Sequence, residues 1–76
     1  MGNFPNEYQR KMIRETYQKG MRIELIRMED PWTALKPGDR GTVMMVDDAG
    51  QIHMNWDRGS SMALIPGEDQ FKVVKE

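Results

Sequence analysis

The chain has 76 residues, 38% of them hydrophobic and 30% charged, with twelve carboxylates against eleven Lys and Arg. That length holds one core and no cleft between domains, and the net charge of -1 gives no global pull toward nucleic acid or an anionic membrane. Zero cysteines and a single histidine exclude disulfides, thiolate zinc sites, a cysteine nucleophile and most histidine metal clusters.

Residues 6–19, NEYQRKMIRETYQK, carry good helix formers and no Gly or Pro, so they are expected to form an amphipathic helix. Asn6 suits the N-cap, Gln9 completes a capping box, and Gly20 supplies the stop. Tyr8 and Met12 share a face with Ile13 and Tyr17 to one side, while Arg10, Lys11 and Arg14 gather opposite. Glu7 precedes Lys11 by four and Glu15 precedes Lys19 by four, which makes a solvated, self-paired face the plain reading of those cations.

After Gly20 the period changes to two. Met21, Ile23 and Leu25 alternate with Arg22, Glu24 and Ile26, which reads as a strand with one core-facing side. Residues 27–40 form a long loop ending in Lys36-Pro37-Gly38-Asp39, a type II turn by its proline and glycine. Further strands are expected at Gly41 to Val46, Gln51 to Trp56, Ser60 to Ile65 and Phe71 to Val74, with Asp47-Asp48-Ala49-Gly50 as a hairpin turn. Five short strands joined mostly by tight turns imply a mainly β fold, a small closed antiparallel barrel with an N-terminal helix. Residues 1–20 make the helical arm and 21–76 the barrel.

Pro37-Gly38-Asp39-Arg40-Gly41-Thr42-Val43, then Val46-Asp47-Asp48-Ala49-Gly50 and Trp56-Asp57-Arg58-Gly59, resemble an SH3-like barrel. With Ile65-Pro66-Gly67-Glu68-Asp69 before Phe71, the chain most resembles domain-of-unknown-function family 4314. That family comprises small proteins of Gram-positive bacteria, their phages and mobile elements. The resemblance spans about residues 20–74; it implies the SH3-like fold and no activity. The shorter core of Gly41-x-Val43, Val46 and Trp56-x-x-Gly59 is shared by many SH3-like modules, KOW among them.

Charge is uneven. Up to residue 27 six cations face three carboxylates, a local +3; from residue 28 five face nine, a local -4. The longest apolar run, Val43-Met44-Met45-Val46, is too short to span a bilayer, and without a charged-then-apolar opening no secretory signal is expected. Met1-Gly2 would suggest myristoylation, but Asn6 stands where Ser or Thr is wanted. The expectation is a cytoplasmic protein without a membrane role.

The candidate chemistry is thin. His53 should point outward between Ile52 and Met54, with no second ligand beside it. Asp47, Asp48, Asp57, Glu68 and Asp69 fall in turns, where Asp caps backbone amides. The eight methionines read as flexible core filler, and adjacent Met44 and Met45 should face opposite ways. Trp32, after Asp30-Pro31, either folds back as a lid over one barrel end, which its apolar ring favours, or stands as an exposed contact. No catalytic residue, metal or cofactor is expected. The protein reads as a non-catalytic interaction module with an unidentified protein partner at Glu29, Asp30 and Trp32. The alternative is nucleic-acid binding through Arg10, Arg14, Arg22 and Arg27, marked by a salt-sensitive complex.

Overall fold

The computed structural model describes residues 6–30 and 32–75; Met1, Gly2 and the loop's Pro31 lie outside them. In chain order the elements are α1 (Glu7–Thr16), β1 (Arg22–Arg27), β2 (Arg40–Val46), β3 (Ile52–Trp56) and β4 (Gln70–Val74).

The N-terminal capping box forms as its spacing predicts. Asn6 Oδ1 accepts the Gln9 N–H at 2.8 Å, and Gln9 Oε1 accepts the Asn6 N–H at 2.9 Å. The helix ends at Thr16 with Tyr17 as its C-cap in extended backbone, short of the expected residue 19. Gly20 is not its stop but takes a positive φ of 95° in the turn that follows. Gly20 N–H donates to the Val43 carbonyl and Val43 N–H to that of Met21, both at 2.8 Å, so the chain is tied to β2 just after the helix. Ile13 and Tyr17, nearest that tether, pack against the core, and Tyr17 meets Phe71 edge-on at 5.5 Å. Tyr8 and Met12, a turn or two farther out, remain 70% and 45% exposed.

The strands form one antiparallel sheet in the order β3-β2-β1-β4. Alternation puts Ile23 and Leu25 inside on β1, and Ile52, Met54 and Trp56 inside on β3. Val43, Val46, Leu35 and Leu64 complete the core, which holds no polar or charged residue among those described. β2 carries a bulge between Val43 and Met45. The extra residue breaks the alternation, so Met44 and Met45 are both solvent-facing, at 43% and 54% exposure, instead of pointing to opposite faces. Gly41 is a packing requirement. A Cβ there would lie 2.9 Å from Trp56 Cα and 2.9 Å from its Cε3.

The expected closed five-stranded barrel is corrected to an open four-stranded sheet. Residues 60–65 form no strand; Leu64 alone bridges, exchanging two hydrogen bonds with Ile52 at 2.8 and 2.9 Å. The ladder fails because side chains take its backbone groups. Ser60 Oγ accepts the Met62 N–H at 3.1 Å, the Trp56 indole donates to the Met62 carbonyl at 2.7 Å, and Pro66 has no N–H to give.

Candidate functional site

The long loop is tied down at both ends. Asp30 Oδ1 accepts the Trp32 N–H at 2.9 Å, and the Asp30 carbonyl accepts that of Thr33 at 3.2 Å, an Asx-type turn. Leu35 then enters the core, Gly38 N–H donates to the Leu25 carbonyl at 2.8 Å, and Asp39 Oδ2 caps Lys36 N–H at 2.8 Å. Trp32 is 92% exposed, which overturns the lid reading. The turn on Asp30 throws the indole outward, and Leu35 takes the inward position instead.

Facing this loop is the segment after Leu64. Asp69 Oδ2 accepts the Ile65 N–H at 2.8 Å, and the Ile65 carbonyl accepts N–H groups from Glu68 and Asp69 at 3.0 and 2.9 Å. Between the two runs an open groove of about 510 Å³, with Met28, Glu29 and Asp30 on one wall and Met62, Ala63, Ile65, Gly67, Glu68 and Asp69 on the other. Its lining is mixed, with Met28, Met62, Ala63 and Ile65 apolar and Glu29, Asp30, Glu68 and Asp69 acidic. Glu29 pairs with Arg27. No Lys or Arg among the described residues forms an ion pair with Asp30, Glu68 or Asp69. Burial pushes the Asp69 carboxyl above its ordinary range; the Glu68 and Asp30 carboxylates add to the rise, and the Ile65 N–H partly offsets it.

Glu29 and Asp30 are thus brought to one groove, and Trp32 stands exposed next to it in the chain. The arginines are spread out. Arg10 and Arg14 line a second shallow groove on α1, with Lys11, Tyr8, Glu7, Glu15 and Asp48. Arg14 lies 3.4 Å from Asp48 Oδ1. Arg22 makes a two-pronged pair with Asp57 at 2.8 and 2.5 Å and also reaches Thr42 Oγ1 at 3.0 Å. The guanidinium holds the Asp57 carboxyl below its usual range. Arg27, at the other end of β1, is the partner of Glu29.

The turn acids mostly do what turn acids do. Asp47 Oδ1 accepts from Ala49 and Gln51 N–H at 3.0 and 2.9 Å, and its Oδ2 lies 2.8 Å from His53 Nε2. Desolvation pushes the Asp47 carboxyl up, but those hydrogen bonds, His53 foremost, outweigh it and lower it. Arg58 clasps Asp39 at 2.8 and 3.0 Å and holds that carboxyl low. Among the described residues no three His, Asp or Glu side chains are placed to hold one metal ion.

Met28, Met62, Ile65, Glu68 and Asp69 are groove residues that sequence reasoning missed. Reading residues 60–65 as a strand assigned Met62 to the core and hid the second wall. The available signal was local: Ser60-Ser61 and Pro66-Gly67 leave little for a ladder.

No described helix is long and apolar enough to cross a membrane. No curated protein and no solved structure matches the chain. The model of a domain of unknown function, DUF4314, matches residues 6–74, nearly all of the fold described above, and the chain belongs to that family.

Proposed function

We propose that the protein is a non-catalytic interaction module whose partner surface is the groove between the Met28–Asp30 run and the Met62–Asp69 segment, with Trp32 beside it. The observation that carries this reading is one groove that joins apolar side chains to three carboxylates with no ion partner among the described residues, with Trp32, two residues after Asp30 in the chain, left 92% exposed. A large aromatic side chain left in water is an unused contact, and aromatic and Met side chains are favoured at interfaces. The return of β4 beside β1, with Leu64 bridging to β3, supports kinship with SH3-like barrels that stop short of closure.

The test is affinity capture from extract of the producing organism, with wild-type chain compared with Trp32→Ala and Met62→Ala. Loss of the same partner in both variants, with amide spectra intact elsewhere, is the expected result. A captured set indifferent to both would end the reading. Nucleic-acid binding through Arg10, Arg14, Arg22 and Arg27 is the second reading, and exposed Tyr8 beside Arg10 and Arg14 is what favours it. It ranks lower because that groove carries three carboxylates, Glu7, Glu15 and Asp48, against its three cations. Oligonucleotide titration at low salt decides it.

A further inference from the structure

The groove's chemistry is specific enough to name its occupant by class. Three of the carboxylates lining this one groove, Asp30, Glu68 and Asp69, are not ion-paired to any cation among the described residues. Burial, and to a smaller degree the Glu68 and Asp30 charges, disfavours ionisation of Asp69. A positive charge entering there relieves that repulsion, whereas a phosphate or nucleic acid would add to it. The apolar part of the lining asks for more than a charge. Met28 and Met62 are half-buried, pliable side chains beside Ile65, a surface that fits an aliphatic stem. Lysine and arginine combine such a stem with a charged head. Trp32 lies outside the groove lining but only two residues after Asp30, and its exposed indole is a ring face of the kind that attracts a cation.

We infer that the groove takes an extended protein segment bearing lysine or arginine, its aliphatic stem over Met28, Met62 and Ile65 and its charged head among Asp30, Glu68 and Asp69. This rests on the groove being the partner surface. A bare metal ion would use the carboxylates and leave the apolar side chains idle. The N-terminal helix of a second copy, with Arg10, Lys11 and Arg14, is cationic as well, but its groove-forming face brings Glu7 and Glu15 with it.

A random twelve-residue display library panned against the intact chain at about physiological salt tests the inference. Panning runs in parallel on Asp30→Asn/Glu68→Gln, which keeps the Asp30 oxygen that accepts the Trp32 amide. The expected pool is enriched in Lys and Arg on the wild type alone. Its best synthetic peptide should shift the amides of residues 28–30 and 62–69, and bind about tenfold more weakly to the double variant or when its lysines are acetylated. Peptides that map to the groove without a cationic bias would overturn the inference and leave the interaction reading standing. A pool in which nothing shifts the groove amides would overturn both. Groove shifts that appear on concentrating the protein alone, and vanish in Arg10→Glu/Arg14→Glu, would assign the groove to a second copy and overturn the inference.

Discussion

Replacing Gly41 by alanine inserts one methyl group where the sheet has no space for it. The new Cβ would sit 2.9 Å from both Trp56 Cα and Trp56 Cε3 and 3.0 Å from the Asn55 carbonyl oxygen. Carbon atoms at optimal contact stand about 3.5–4.0 Å apart, so the shortfall is roughly 0.6–1.1 Å. Two of the three opposing atoms, Trp56 Cα and the Asn55 oxygen, are backbone and cannot rotate away. The indole is pinned by its hydrogen bond to Met62, so β2 and β3 must separate where Gly41 faces Trp56. Overpacking of this kind costs about 1–3 kcal/mol. A domain of this size has about 4–11 kcal/mol in total. With a urea slope of about 1 kcal/mol/M, the unfolding midpoint should fall by roughly 1–3 M. The assay is a urea titration in a Trp32→Phe background, so that only Trp56 reports. A midpoint within about 0.3 M of the parent would refute the packing argument.

Trp32→Phe should leave stability within about 0.5 kcal/mol and remove the acrylamide-quenchable part of the emission, leaving only buried Trp56. Tyr17→Ala deletes the edge-on contact with Phe71 and should cost about 1–3 kcal/mol, with helical circular dichroism lost before the sheet amides exchange. Asp69→Asn keeps an acceptor for the Ile65 N–H and removes a charge that folding disfavours. Its folded carboxyl lies above the ordinary 3.8, so its favourable contribution exists below 3.8 and is lost as pH rises through the folded value. The variant should therefore have a higher urea midpoint than wild type at pH 7, an advantage that disappears below pH 3.8. Asp39 runs the other way: its folded carboxyl is depressed below 3.8, so the contribution is present above 3.8 and lost as pH falls through the folded value. The stability gap between wild type and Asp39→Asn should close in acid, and a gap that widens there would refute the Arg58 clasp.

The helix cap, the β1 and β3 alternation and the turn glycines were legible because each is set by neighbours in sequence. Asn6 and Gln9 are three apart, and Ile52, Met54 and Trp56 declare their face without help. The failures share a different cause. Met44 was misplaced because a bulge is an agreement between two strands. The strand at 60–65 was lost to hydrogen bonds from Trp56 and Ser60, which local propensity does not weigh. Half of the candidate groove followed from Glu29 and Asp30. The other half needed Glu68 and Asp69 brought across from a turn some forty residues away, and only the fold does that.

The placement of β4 beside β1 bears on how the protein is made. Arg22 pairs with Val74, and Leu25 with Phe71, so the inner strand of the sheet is finished by residues synthesised about fifty positions later. At about 5–20 residues per second, the growing chain carries β1 with one open edge for roughly 3–10 seconds. Closing a loop of that length also costs about 3.5 kcal/mol of chain entropy, which no contact repays until β4 arrives. Any chaperone engagement or misassembly during synthesis therefore has its window here, on the Ile23–Leu25 edge, before the last strand is made.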